Sequence, residues 1–185
     1  MREYDAFRQG VEPGGMMTTA DVRLLVCYLL KSLGEPVSKE VLTDTLCEDG
    51  LANFFEVTSA ADALVEQGNA EKTVLADGTE RYSATENGKH IAETLMTDLP
   101  KSVREKALRR AMYHATMEKR SKENEIETKE LDDGYEVNLS VGKGTERLMR
   151  FSFRVPAKEQ ARALEKGFLE HLDELCEEVY RILLQ

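Results

Sequence analysis

The side chains best suited to metal binding or nucleophilic chemistry here are three histidines and three cysteines, and their spacing assigns them neither task. His90, His114 and His171 fall on separate expected helices, and none has a second ligand at i+3 or i+4 that completes a known metal set. No CxxC and no HExxH occurs. Cys27, Cys47 and Cys176 stand far apart, define no disulfide framework, and read as free thiols of a reducing compartment. His171 and Cys176 lie five residues apart on one expected helix, a spacing that does not bring side chains together. The glycines of "GKGT", Gly142 to Thr145, suit a hairpin turn but lack the spacing and following helix of a phosphate loop. Acids are abundant, and abundance in an acidic chain singles out no general acid–base pair. We therefore expect no enzyme, no metal site and no cofactor.

What remains is charge. The chain of 185 residues has a net charge of −10, so the molecule as a whole does not attract a polyanion. Its cations concentrate in "KSVREKALRRAMYHATMEKRSK", where Lys101, Arg104, Lys106, Arg109, Arg110, Lys119, Arg120 and Lys122 meet only Glu105 and Glu118. Such a helix either neutralises phosphates or is a linker whose cations pair with acidic neighbours on both sides.

The elements that hold these residues follow from periodicity and breakers. Residues 1–17, with "VEPGGMM", show no period and read as a flexible tail. A first helix, capped at Thr19, carries Val22, Leu25, Leu29 and Leu33 inward and stops at Gly34 and Pro36. Ser38 caps a second helix with Val41, Leu42 and Leu46 inward. Asn53 opens a third, Phe54 to Gln67, with Val57, Ala61, Leu64 and Val65 buried and Gly68 at its end. "AEKTVL" and "ERYSA" are strands joined through Asp77-Gly78, a dipeptide that accepts the positive φ angles of a tight hairpin. Thr85 caps a fourth helix that runs towards Leu99.

Three helices followed by a β-arm, over Ala20 to Ala84, is the order of a winged helix-turn-helix. "RYSATENGKHIAETL" resembles the end of such domains in PadR-like and MarR-like regulators, where a strand reading Tyr-x-x-Thr-x-x-Gly runs into the next helix. Here those residues are Tyr82, Thr85 and Gly88. The chain as a whole is similar to an uncharacterised bacterial family, a domain of unknown function, with a winged helix ahead of a β-rich C-terminal part. The tracts that carry this are "NFFEVTSAADALVEQG", "YSATENGK", "LPKSVREK" and "VPAKEQARAL". The resemblance implies a transcription-related role with double-stranded DNA as partner.

In helix-turn-helix proteins the second helix of the motif enters the major groove. By order that is Phe54 to Gln67, whose outer face offers Phe55, Glu56, Thr58, Ser59, Asp62 and Glu66, and no Lys or Arg. Candidate DNA contacts are Thr58 and Ser59 there, Lys72 and Arg81 at the base of the arm, and Lys101, Arg104, Arg109 and Arg110 on the basic helix. The competing reading makes the same face a protein contact through Phe55, Asp62 and Glu66.

Beyond Glu123 the period becomes two. "YEVNLSV" and "RLMRFSFRV" place Tyr135, Val137, Leu139, Val141, Met149, Phe151, Phe153 and Val155 on one face, and "NEIETKEL" is an expected edge strand. A long final helix, with Ala161, Leu164, Phe168, Leu172, Leu175, Val179 and Ile182 or Leu183 inward, should cover them. The expected fold class is α+β: an N-terminal winged helix-turn-helix (18–99), a basic linker helix (100–122), and a small antiparallel β-meander under a long C-terminal helix (123–185). The last part suits dimerisation or sensing. Leu169, Cys176 and Leu184 form a second apolar edge on its helix, from which we expect a homodimer through that helix or the basic one. A small-molecule effector or a protein partner is compatible with this layout, although no inward polar residue marks a pocket. The longest apolar run, Leu24 to Leu30, is far shorter than the ~20 residues of a membrane span. The polar start "MREYDAFRQG" is unlike a signal peptide, so a cytoplasmic protein without membrane contact is expected.

Overall fold

The computed structural model describes residues 18–184, so the expected tail and Gln185 lie outside the described residues. Among those residues are seven α-helices and two three-stranded antiparallel sheets. The chain divides into two compact units between Ala115 and Thr116.

The first unit begins with helix α1, Thr19–Leu33. Thr18, one residue before the expected cap, closes a capping box with Asp21: each side chain bonds the other residue's backbone N–H. Gly34 ends α1 at φ 71°, a conformation that favours glycine. Ser38 then does two jobs. It belongs to strand β1, Val37–Ser38, and its Oγ accepts from Val41 N to cap helix α2, Lys39–Cys47. Helix α3, Phe54–Glu66, starts with a second capping box, Asn53 with Glu56. Strands β2, Ala70–Val74, and β3, Glu80–Ala84, form the hairpin around Gly78, whose φ is 82°. At its tip Thr79 N donates to Asp77 Oδ1 at 2.8 Å. The sheet order is β1-β3-β2. The two-residue β1 is too short to carry a period of two, and the sequence reading has no strand there.

The Tyr82, Thr85, Gly88 spacing has a structural cause. Tyr82 is fully buried in the centre of β3. Thr85 caps helix α4, Glu86–Leu95, by accepting from Gly88 N, and its hydroxyl donates to Gly68 O at 2.7 Å. Gly88 lies against the turn between α3 and β2: a Cβ there would stand 1.9 Å from the Asn69 carbonyl oxygen. Cys27 Sγ donates to Gly88 O from α1. One residue without a side chain therefore lets α1, α4 and that turn meet.

After a 3-10 turn, Met96–Asp98, helix α5 runs from Lys101 to Glu123. Ala107, Ala111 and Ala115 are buried in the first core. Their i, i+4 spacing lays a small-residue stripe along that core.

In the second unit, strands β4, Glu125–Leu131, β5, Gly134–Val141, and β6, Met149–Val155, lie in the order β4-β5-β6. Val137 pairs with both Thr128 and Phe153, which fixes the register. Helix α6, Lys158–Glu170, packs chiefly on β5, and the core is Val137, Leu139, Val141, Ala161, Phe168 and Leu172. Phe153 has the expected parity, yet it stays 40% exposed because α6 lies more over β5 than over β6.

The expected long final helix is two helices. Helix α7, Leu172–Leu183, follows a break at His171, where φ is −109° and ψ is 23°. Arg120 explains the break. Its guanidinium donates to the carbonyl oxygens of Leu169, at 2.6 Å, and Glu170, at 2.9 Å, and pairs with Asp173. Those carbonyls would receive N–H groups from the next turn in a continuous helix. An arginine fifty residues earlier takes their place.

Candidate functional site

The outer face of α3 is built by the capping box at Asn53, which starts the helix with Phe54 and Phe55 in its first turn. Val57, Ala60, Ala61 and Leu64 turn inward, so Phe55, Ser59, Asp62 and Glu66 share the opposite side. Phe55 is 75% exposed, and its ring meets the exposed Phe54 edge to face, with centroids 5.8 Å apart. Thr58, at the border of that face, donates its hydroxyl to Phe54 O at 2.8 Å. In the hairpin arm, Val74 and Leu75 are exposed apolar residues as well.

At the inner edge of this face the charges close on one another. Lys39 Nζ bonds Asp62 at 3.1 Å and sits 5.4 Å from the centre of the Tyr82 ring. Tyr82 Oη donates to Glu80 at 3.0 Å, and Lys72 Nζ reaches the same carboxylate at 2.9 Å. The Lys72 hydrogen bond, helped by Tyr82, holds the Glu80 carboxyl below the usual range. Glu80 in turn raises Lys72. Burial alone would lower Lys39, and its bonds to Tyr82 and Asp62 outweigh that and raise it. The result is a charge network that ties α2, α3, β2 and β3 together.

The remaining expected DNA contacts are placed as follows. Arg81 pairs across the sheet with Ser38 and Thr73 and is half-buried. Lys101 pairs with Glu105 at 3.6 Å. Arg104 lies 5.8 Å from the centre of the Tyr28 ring, with its Nε buried. Arg110 and Lys106 both reach Asp49, at 3.6 Å and 3.3 Å. Arg109 is exposed on the outer side of α5. Lys72, Lys101 and Arg110 thus meet an acid of their own chain, and Arg104 meets an aromatic ring. The sequence reading missed the partners Asp49, Glu80 and Tyr28, because each is distant in sequence or on another element.

Thiol chemistry finds no support in these surroundings. Cys27 is buried and Cys47 and Cys176 are half-buried, and all three are free. Burial raises each thiol pKa, with Asp44 and Glu56 adding to it at Cys47 and Asp173 at Cys176. Among the described residues, no group of three or more His, Cys, Asp or Glu is placed to hold a metal ion. No helix among them is long and apolar enough to cross a membrane.

A family model described as a domain of unknown function (DUF4364) matches residues 22–184. The chain belongs to the DUF4364 family. No curated protein and no solved structure matches it. The DUF4364 match runs from α1 to α7 and so takes in both units, including the α3 face and the Arg120 grip on the α6–α7 break.

Proposed function

We propose that the first unit is a winged helix-turn-helix whose α3 face takes up a protein rather than duplex DNA. The observation that carries this is Phe55, an aromatic side chain 75% exposed at the start of α3, on a helix with Glu56, Asp62 and Glu66 and no cation. A groove reader needs donors and positive charge at that place. A protein contact needs an exposed aromatic anchor with polar residues around it. The pairing of Lys72, Lys101 and Arg110 with the chain's own acids supports the same reading, since freeing them for phosphate would break those pairs.

Fluorescence anisotropy with a random duplex at about 50 mM salt tests the exclusion of DNA, with no binding expected at micromolar protein. The positive test is affinity capture with the wild-type chain and a Phe55→Ala, Asp62→Lys double variant. A partner held by the first and lost by the second is the expected result. Identical capture by both removes the α3 face from the proposal.

A second reading, a dimeric regulator on double-stranded DNA, is favoured by the order α1, β1, α2, α3, β2, β3 and by Arg109, exposed on α5. It calls for saturable duplex binding whose log–log salt slope steepens by about 0.9 for each phosphate contact. The same anisotropy titration, repeated over a salt series, decides between the two.

A further inference from the structure

Helices α6 and α7 are separated at a place where the local sequence supplies no breaker. From Lys158 to Leu183 there is no proline, and the one glycine, Gly167, lies within α6, its carbonyl accepting from His171 N at 2.9 Å. The apolar positions Phe168, Leu172, Leu175 and Val179 keep their 3–4 spacing across the break. The departure is concentrated at His171, whose ψ is 23° against about −42° in an α-helix. Helix kinks arise at proline, at Gly/Ser pairs, at π-bulges, or where a side chain enters the hydrogen-bond ladder. The last cause operates here, and the side chain is Arg120.

Two arrangements satisfy the same two carbonyls. In the observed one, Arg120 Nη1 donates to Leu169 O and Glu170 O, and Nη2 pairs with Asp173. In a continuous helix the donors would be Asp173 N and Glu174 N. In the bent form those N–H groups fall in the first turn of α7, where a helix offers them no partner of its own. The exchange is two bonds for two. The bent form is favoured because the guanidinium bonds are charge-assisted and because Leu172, Leu175 and Cys176 seat against the second core. The far end of α7 adds little to that preference, since Ile182 and Leu183 are exposed. What holds the bend is therefore gathered at its root.

We propose that the α6–α7 joint is a two-state element latched by Arg120. It is bent while the guanidinium holds the two carbonyls, and becomes one continuous helix, Lys158 to Leu183, when the guanidinium lets go. Straightening re-aims Val179, Ile182 and Leu183. Arg120 stands on α5, the helix within which the chain passes from the first unit to the second, so a displacement of the end of α5 is read out as the direction of α7.

Nuclear magnetic resonance of the full chain tests this. Residual dipolar couplings of the backbone amides report the helix directions, and amide exchange reports the bonds at the break. In the wild type, residues 158–170 and 172–183 should fit two axes. In Arg120→Met they should fit one, and exchange at Asp173 and Glu174 should slow at least about tenfold, because each amide gains an interior helix bond. An arginine that merely supports the bend gives the opposite result, since its loss would fray the break and speed exchange there. Arg120→Lys keeps the charge but lacks the fork that spans two carbonyls, and should straighten the joint as well. Circular dichroism checks that each variant is folded. A folded variant that keeps two axes, or whose Asp173 and Glu174 amides exchange no more slowly than in the wild type, overturns the proposal. Loss of the fold in both variants overturns it too, because Arg120 would then be a structural support rather than a latch.

Discussion

The two units solve the problem of burying apolar surface to different degrees. In the first, the core is closed on every side by α1, α2, α3, α4, the hairpin and the alanine stripe of α5, and it fully buries Tyr82, Leu25, Leu29, Leu42 and Leu46. In the second, six buried residues sit between one sheet, helix α6 and the first residue of α7, while Phe153, Ile182 and Leu183 remain exposed, against the expectation that Ile182 or Leu183 turns inward. Helix α6 lies chiefly over the central strand β5 and α7 adds only its first turns to the core, so the outer part of the β6 face stays uncovered. Both units nevertheless expose apolar side chains on a helix that also carries acids: Phe55 with Asp62 and Glu66 on α3, and Ile182 and Leu183 with Glu177 and Glu178 on α7. Net charge is a property of the whole chain, whereas apolar exposure depends on how much core each unit builds.

The largest effect expected from this contrast comes from two helical glycines. Gly88→Ala forces a Cβ to 1.9 Å from the Asn69 carbonyl oxygen, where only backbone can give way. Overpacking against backbone costs about 3 kcal/mol or more, so urea unfolding should find this variant severely destabilised or unfolded. Gly167 in α6 has nothing within 4 Å of the same position. Gly167→Ala should stabilise by about 0.5–1 kcal/mol through helix propensity. Equal responses at the two sites would erase the contrast between closed and open packing.

Core truncation sharpens it at the next level. Leu42→Ala removes a side chain with no exposed surface and should cost about 2–5 kcal/mol. Phe153→Ala removes a larger side chain that is 40% exposed, and about 1–2 kcal/mol is expected despite its size. Chemical unfolding of both variants gives the comparison directly. A Phe153→Ala cost above that of Leu42→Ala would mean that the second core is tighter than its burial suggests.

Local rules made most of the elements legible in the sequence. Ser38, Asn53 and Thr85 cap the helices expected of them, Gly34 and Gly68 end theirs, and Asp77-Gly78 turns the hairpin. These signals act within four residues, so a single sequence carries them. Three features were not legible, each because its cause is distant. Strand β1 exists through its pairing with Tyr82 and Arg81, more than forty residues on. The α6–α7 break exists through Arg120, while the apolar stripe runs on across it. At the candidate site, the outer face of α3 could be read from period alone, with Phe55, Ser59, Asp62 and Glu66 together. The cations could not, since Asp49, Glu80 and Tyr28 reach them only in the fold.

The smallest expected effect concerns two acids of the first unit whose shifts have opposite sign. Burial raises the Asp44 carboxyl above its ordinary 3.8; His114 pulls it back, and Glu48 and Glu40 push it further up. A raised carboxyl means that the folded chain binds the proton more tightly than the unfolded one, so ionised Asp44 lowers stability at every pH above its folded pKa. Asp44→Asn should therefore raise the melting temperature at neutral pH, with the gain fading as pH falls towards 3.8 and below. Glu80 is lowered from 4.5 by Lys72 and Tyr82, so its ionised form contributes stability above 4.5, which is lost as pH falls through its folded value. Glu80→Gln should lower the melting temperature at neutral pH and converge with the wild type in acid. Thermal melts of the two variants across the acid range should therefore approach the wild type from opposite sides. Approach from the same side would show that the Lys39–Asp62–Tyr82–Glu80–Lys72 network does not hold its carboxylate as the geometry requires.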